Sequence, residues 1–348
     1  MCRHLAWLGP ERPLAEVILD PSHSLFRQSW EPRRQRHGTV NADGFGFGWY
    51  EPGGSPEPAR YRRAVPIWAD GNVPDLARAL RSGAVLAAVR DATAGTGQEE
   101  SAAAPFRAGR WLFSHNGAVP DWRRLPEELG ESGGLSPSAL LGLEARSDTA
   151  LLWALVQARL GVGMDAGASG AAPGAAPAVP GAAPAVPGAA PAVPGAAPAV
   201  PGAAPAVPGA ATAAALGAAT AAALGAALAD VVAQVAAVRP AARLNLLLTD
   251  GTAIAATTWG DTLSYRIDPE DGIRIASEPD DGPDRVTDRA TAASDDSPAT
   301  WHDLPDRTLL TATLATGVHT TPITPADADT TATPTATPTD EDERARAA

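Results

Sequence analysis

Cys2 is the only cysteine in the chain and follows Met1 directly. A small residue in second place generally permits removal of the initiating methionine, so the mature chain is expected to begin with this cysteine. A free α-amine has a pKa near 8 and a thiol about 8.5. One residue would then supply the nucleophile and, through its own amine and a bridging water, the base. That is acyl-transfer chemistry without a histidine partner. The ordinary alternative is an incidental small residue near a terminus. Other chemistries are poorly supplied. All 27 basic residues are arginine, which removes Schiff-base, P-loop and catalytic-lysine mechanisms. A lone cysteine excludes an intrachain disulfide framework and a cysteine-cluster zinc site. The six histidines include no His-x-x-x-His pairing, so neither a metal nor a cofactor is expected. Asn41–Tyr50 is glycine-rich, but its spacing is not that of a dinucleotide or kinase loop. It reads as a strand whose glycines let backbone approach closely.

The elements that must position this residue lie in two blocks. In the first, Leu5–Leu8, Gly46–Tyr50, Val85–Val89 and Trp111–Ser114 read as strands, and Ala15–Leu19, Val73–Ser82 and Thr149–Arg159 as helices. In the second, Leu244–Thr249, Ala253–Thr258, Ile273–Ser277 and Thr308–Leu314 read as strands, with Asp250-Gly251 as a hairpin turn. Between them, Gly-Ala-Ala-Pro-Ala-Val-Pro repeats five times from Gly174 to Pro208. Two prolines per copy forbid a helix or a central strand, and the composition predicts a solvated polyproline-II-like spacer. Thr212–Val238 predicts an alanine-rich helix with Leu216, Leu224 and Leu228 as a narrow apolar stripe. Asp230 and Gln234 speak against a membrane span. The acidic stretch from about Asp280 to Thr300 reads as a surface loop.

The expected organisation is α+β: one domain in two parts, 1–161 and 212–318, interrupted by a 162–211 linker and followed by a disordered 319–348 tail. The net charge of −13 argues against nucleic acid and against a polybasic membrane surface. The N-terminus lacks the layout of a signal peptide, and the expected address is cytoplasmic.

Five short stretches then fall in order behind Met1-Cys2-Arg3: Asn41–Tyr50, Val89–Gly95 (Val-Arg-Asp-Ala-Thr-Ala-Gly), Pro105-Phe106, Phe113–Gly117 (Phe-Ser-His-Asn-Gly) and Ser147-Asp148-Thr149; beyond the spacer Arg243–Asn245 with Leu246–Gly251 opens a further set. With this set the chain resembles the class II glutamine amidotransferases, the branch of N-terminal-nucleophile hydrolases with a mature N-terminal cysteine. Thr257–Asp261, Ala276–Pro279 and Pro305–Arg307 extend the likeness to the stand-alone branch acting in ergothioneine biosynthesis. The resemblance covers about 1–160 and 239–318 and implies an αββα four-layer sandwich with the Pro/Ala/Gly segment as an insertion.

It also implies a chemistry. Cys2 attacks the γ-carbonyl of a glutamyl group, an amine leaves, and water releases glutamate from a thioester. Developing charge on the carbonyl oxygen needs fixed donors, by resemblance the Asn116 side-chain amide and the Gly117 backbone N–H. Taken alone, Asn-Gly also reads as a tight turn. A glutamyl group is a zwitterion at its α-carbon. Arg90 is matched to its carboxylate and Asp148 to its ammonium, with Thr93 lining the same loop. Arg90 could instead be a strand-end salt bridge, and Asp148 a helix N-cap. Arg3 could lower the thiol pKa or be structural. The implied substrate is a small γ-glutamyl molecule, namely γ-glutamyl-hercynylcysteine S-oxide. The alternatives are a glutaminase subunit feeding ammonia to a separate synthase, or an inactive module whose proline spacer binds aromatic grooves.

Overall fold

The computed structural model describes residues 2–93, 95–161, 210–280 and 300–325, with side chains in the last long helix from residue 214 onward. The heptapeptide repeat, the acidic stretch 281–299 and residues 326–348 lie outside the described residues. Thirteen strands are present among those described: β1 (Arg3–Pro13), β2 (Phe45–Trp49), β3 (Ala59–Arg63), β4 (Arg81–Val89), β5 (Phe106–Ala108), β6 (Trp111–Ala118), β7 (Arg243–Thr249), β8 (Ala253–Thr258), β9 (Ser264–Asp268), β10 (Gly272–Ala276), β11 (Trp301–Asp303), β12 (Thr308–Thr313) and β13 (Gly317–Pro322). The α-helices are α1 (Ala15–Ile18), α2 (Leu25–Gln28), α3 (Val73–Ala79), α4 (Leu125–Leu129), α5 (Pro137–Leu141), α6 (Asp148–Arg159) and α7 (Ala210–Val238).

The strands form two antiparallel sheets. The first has the order β11-β9-β10-β1-β4-β2-β3 and the second β13-β12-β8-β7-β6-β5. Strand periodicity explains how they stack, because successive side chains point to opposite faces. On β1, Leu5 and Trp7 pack with Val17 and Ile18 of α1 and Val73 and Ala77 of α3. Ala6 and Leu8, one step out of phase, meet Leu247, Ile254 and Ala256 of the second sheet. On β7 the same alternation turns Leu246 and Leu248 outward against Leu152 of α6 and Leu228 and Val232 of α7. Helices, sheet, sheet and helices make the four layers that the resemblance implies.

Two helices cover the second sheet. In α6 the Ser147 hydroxyl caps the N-terminus by accepting from the Ala150 N–H at 3.2 Å. In α7, Leu224, Leu228, Val231, Val232 and Val235 are buried at helical spacing. Gly225 keeps the helix close to β12, since a Cβ there would lie 2.6 Å from the Thr311 methyl. Leu216, expected in the buried stripe, is 70% exposed; only the later turns of α7 meet the sheet. Among the described residues α7 alone is long and apolar enough to cross a membrane, and its apolar face lies on the second sheet.

Several expected boundaries move. Helix α3 stops at Ala79, not Ser82: Leu80 is already extended and Arg81 begins β4. Strand β6 runs on past Ser114 to Ala118. The second sheet continues through β13 to Pro322, and Ile323 is buried beneath it. The folded part therefore extends beyond 318, because the Thr-rich segment that composition marks as tail pairs along its backbone with β12. Asp250-Gly251 does turn β7 into β8. Asp250 Oδ1 accepts from the Thr252 and Ala253 N–H groups, and Gly251 takes φ +88°.

Candidate active site

Cys2 stands immediately before β1, the central strand of the first sheet. Arg3 pairs with Val89 on β4, and Val89 pairs with Phe45 on β2. Cys2 is thereby brought to the sheet edge where Arg90 leaves β4 and Asp43 enters β2. The Cys2 thiol lies 3.9 Å from the Asp91 carbonyl oxygen. The loop after β4 is tied down by its neighbours: Asp43 N–H donates to the Arg90 carbonyl (2.9 Å), Arg90 N–H to the Gly44 carbonyl (2.8 Å) and Ala92 N–H to Asp43 Oδ2 (2.8 Å). Gly38 packs directly on Asp91, where a Cβ would meet the carboxylate at 2.0 Å. The 31–43 loop thus closes over the same corner.

Arg90 is buried, and its guanidinium donates to Thr96 Oγ1 (3.1 Å), the Gly97 carbonyl (2.6 Å) and the Asp43 carbonyl (3.4 Å). All three acceptors are neutral. Among the described residues Arg90 makes no ion pair, which sets aside the strand-end salt bridge. A buried guanidinium fixed only by neutral acceptors has its positive charge left without a carboxylate partner. Thr93 acts one step behind: its carbonyl accepts from the Thr96 hydroxyl (2.7 Å) and N–H (3.1 Å), and Thr96 in turn holds Arg90. The Thr93 residue itself is exposed.

Asn116 and Gly117 come from the second sheet and sit within β6, opposite Asn245 and Leu244 of β7. They are not a hairpin turn. Asn116 is fully buried; its Nδ2 donates to Ser277 Oγ at 3.3 Å, and its Oδ1 has no partner. Ser277 ties this amide to the strand that carries Cys2, because its hydroxyl also accepts from the His4 N–H (3.0 Å) and donates to the His4 carbonyl (3.3 Å). His4 Nδ1 makes a second bridge, to Ser114 Oγ at 3.1 Å. Gly117 admits no side chain: a Cβ would lie 2.0 Å from the Arg243 carbonyl oxygen.

Asp148 is the first residue of α6, and Ser147 is its cap, so the capping alternative for Asp148 falls away. Its buried carboxylate accepts from the Val119 N–H (3.0 Å) and from its own helix at Thr149 N–H (2.9 Å). The charges of Arg90 and Asp148 both act on the Cys2 thiol. Burial pushes that thiol up from its ordinary value, the terminal amino charge on Met1, the hydrogen bond to the Asp91 backbone and Arg90 pull it down, and Asp148 pushes it up again. The charges of Arg90 and Asp148 thus both reach Cys2, and Ser277 links the Asn116 amide to His4, two residues along from that thiol, with Gly117 beside Asn116 and Thr93 supporting Arg90 from behind.

Arg3 is turned to the other face of β1. It is fully buried, and none of its three guanidinium nitrogens has a hydrogen-bond partner. Burial holds its pKa down, against the opposing charges of Glu278, Asp261 and Cys2. Among the described residues no group of histidine, cysteine and carboxylate side chains is arranged to hold a metal ion.

Comparison with known proteins decides what this arrangement belongs to. The family model for class II glutamine amidotransferases matches residues 14–132. Over 310 residues the chain is 37% identical to the gamma-glutamyl-hercynylcysteine sulfoxide hydrolase of Mycolicibacterium smegmatis, covering 89% of this chain and 95% of that one. The chain belongs to the class II glutamine amidotransferases. The gamma-glutamyl-hercynylcysteine sulfoxide hydrolase of Mycobacterium tuberculosis is 35% identical, with 90% of this chain and 93% of the relative covered. A solved class II glutamine amidotransferase domain protein from Silicibacter pomeroyi superposes with a TM-score of 0.51 at 19% identity, covering 93% of this chain and all of the other. That likeness speaks for the fold alone, and it is the four-layer fold seen in this amidotransferase.

Sequence spacing missed the residues that hold the site from behind. Ser277, Asn245, Thr96 and His4 carry its hydrogen bonds; Asn245 and Ser277 lie in stretches that carry the resemblance, but nothing in a single sequence assigns them these partners. Ser277 lies 273 positions from its partner His4.

Proposed function

We propose that this amidotransferase hydrolyses the γ-glutamyl amide of γ-glutamyl-hercynylcysteine sulfoxide, as a soluble cytoplasmic enzyme acting on a small molecule. What supports the reading is that a buried cation, Arg90, and a buried anion, Asp148, both act on the Cys2 thiol, while the Asn116 amide is tied through Ser277 to His4 on the adjoining strand. The relatives' shared activity supplies the substrate.

In this reading Met1 is removed and Cys2 presents its thiol and α-amine together. The amine takes the thiol proton through a water, and the thiolate attacks the γ-carbonyl carbon. Charge that develops on the carbonyl oxygen is met by the second Nδ2 hydrogen of Asn116 and by the Gly117 N–H. Because Ser277 already holds Asn116, the donor need not reorganise as charge appears. The C–N bond breaks, the leaving amine takes the proton from the α-ammonium, and a γ-glutamyl thioester remains on Cys2. Water attacks that carbonyl, gives its proton to the α-amine, and the thiol departs from glutamate. Arg90 grips the α-carboxylate and Asp148 the α-ammonium, so only a γ-linked glutamyl group places its side-chain carbonyl at the thiol.

The experiment is intact mass spectrometry of the purified protein before and after a glutamine-analogue electrophile, beside turnover of the γ-glutamyl sulfoxide substrate and of free glutamine. The expected result is loss of Met1, one label on Cys2, and turnover abolished by Cys2→Ala. Active protein that retains Met1, or an active Cys2→Ala, would sink the proposal. Rapid ammonia release from glutamine with no amide cleavage of the γ-glutamyl sulfoxide would transfer the reading to a glutaminase that supplies ammonia to a separate synthase.

A further inference from the structure

Arg90 and Asp148 stand on separate elements: one leaves β4 in the first sheet, the other opens α6 over the second. Their separation therefore depends on what joins them, and the Gly97 peptide does. Its carbonyl accepts from Arg90 Nη2 at 2.6 Å, and its N–H donates to the Arg146 carbonyl at 3.2 Å. Arg146 directly precedes the Ser147 cap and lies two residues before Asp148, so that carbonyl belongs to the fixed end of α6. One peptide thus links the buried cation to the helix that carries the buried anion.

Thr96 braces the link. Its hydroxyl accepts from the same Arg90 Nη2 at 3.1 Å and donates to the Thr93 carbonyl at 2.7 Å. The Thr96 N–H donates to that carbonyl too, at 3.1 Å, closing a turn in which Gly95 takes φ +81°. Arg123, lying over the Trp122 ring, donates to the Gly95 carbonyl at 2.7 Å and pins the turn from the segment after β6. Both acceptors of Arg90 Nη2 are neutral oxygens, and one of them is a side chain that substitution can remove.

An amino-acid head carries a carboxylate and an ammonium on one carbon. A cation and an anion read it together only if the distance between them is held, and a misplacement of about 1 Å can cost ~10² in rate. The L and D forms exchange the places of the two groups relative to the side chain. A fixed pair of charges tells them apart, and a loose pair does not.

We infer that Thr96 and the Gly97 peptide form a strut that sets the separation of Arg90 from Asp148, which makes Thr96 a positioning residue in the choice of an L-γ-glutamyl head. The inference rests on the function proposed above and adds the device that fixes its stereochemical selectivity. Thr96 itself acts only through Arg90.

The test compares the γ-glutamyl sulfoxide with its D-γ-glutamyl isomer and with its 4-aminobutyryl analogue, which lacks the α-carboxylate, in the wild type, Thr96→Ala and Thr96→Ser. Each is read as kcat/KM, or as an inhibition constant where turnover is slow. Thr96→Ala is expected to raise KM for the L substrate roughly tenfold with a smaller change in kcat, the usual weight of one hydrogen bond to a charged group. Its preference for L over D should fall by a similar factor. The 4-aminobutyryl analogue offers Arg90 nothing to grip, so all three proteins should handle it alike. Thr96→Ser keeps the hydroxyl and should match the wild type. Equal losses on all three compounds, an unchanged KM and L preference in Thr96→Ala, or a Thr96→Ser as impaired as Thr96→Ala would overturn the strut while leaving the γ-glutamyl hydrolase standing. A wild type that leaves the L substrate uncleaved would overturn the proposed function and the strut with it.

Discussion

Lowering the pH should destabilise this protein well before its carboxylates titrate, and His4 is the reason. The imidazole is fully buried, bonded at Nδ1 to Ser114 and without a partner at Nε2. Burial, then the charges of His115 and Arg3, bring its pKa down to about 3. In the unfolded chain a histidine titrates near 6.5. Between those values the unfolded state binds one proton more than the native state, so stability is complete above about pH 6.5 and is lost as the pH falls. The slope is about 1.4 kcal/mol per pH unit, which gives about 2 kcal/mol lost by pH 5. A domain is stable by only about 5–15 kcal/mol, so the loss is large enough to move a urea midpoint visibly. The native-state contacts that hold Glu278, Asp271 and Asp70 below the usual carboxylate range give up their stability near and below pH 4, outside this window. Urea unfolding followed by tryptophan fluorescence at pH 7.5, 6.5, 5.8 and 5.0 measures it, and His4→Gln, which can still bond Ser114, removes the titration. The wild type should lose about 2 kcal/mol more than the variant between pH 7.5 and 5.0. Equal losses in the two proteins would refute the reasoning.

The other predictions concern the site. Asn116→Ala should lower kcat by roughly 10²–10³ with a smaller change in KM, the usual cost of one oxyanion donor; steady-state kinetics on the γ-glutamyl sulfoxide substrate decides it. Ser277→Ala strips the partner from the Asn116 amide and from the buried His4 N–H. A stability loss of about 1–3 kcal/mol in chemical denaturation is expected, together with a fall in kcat. Gly117→Ala places a methyl against the Arg243 carbonyl, where a Cβ has 2.0 Å. The β6–β7 pairing must shift, and both the thermal midpoint and turnover should drop. Arg90→Ala should raise KM for the γ-glutamyl substrate far more than it lowers kcat, and an unchanged KM would remove the carboxylate assignment.

The sequence was most legible where one residue type has few uses. A Met-Cys start, the Phe-Ser-His-Asn-Gly stretch and the alternation Leu5, Trp7 against Ala6, Leu8 each carry their own physical reading, and the layers follow from the last of these. Legibility failed where a residue acts through a partner distant along the chain. Ser277 is an ordinary serine until β10 lies beside β1. Asp261 closes a stretch that carries the resemblance, but that its backbone carbonyl is held by Asn245 shows only in the fold. Strand β3, Ala-Arg-Tyr-Arg-Arg, hides behind its charge because it is an edge strand whose arginines reach out to Glu144 and the Ser101 carbonyl. Strand β13 hides because its partner is backbone rather than apolar side chains.

Each sheet draws strands from both sides of the repeat: β1–β4 with β9–β11 in one, β5 and β6 with β7, β8, β12 and β13 in the other. Pairs such as Leu5 with Ala276 and Asn116 with Asn245 can form only after the ribosome has delivered the later strands. During synthesis the thiol end must therefore wait, unshielded, for the last third of the polypeptide. The time spent waiting, more than the final fold, is where a holding chaperone would have something to do.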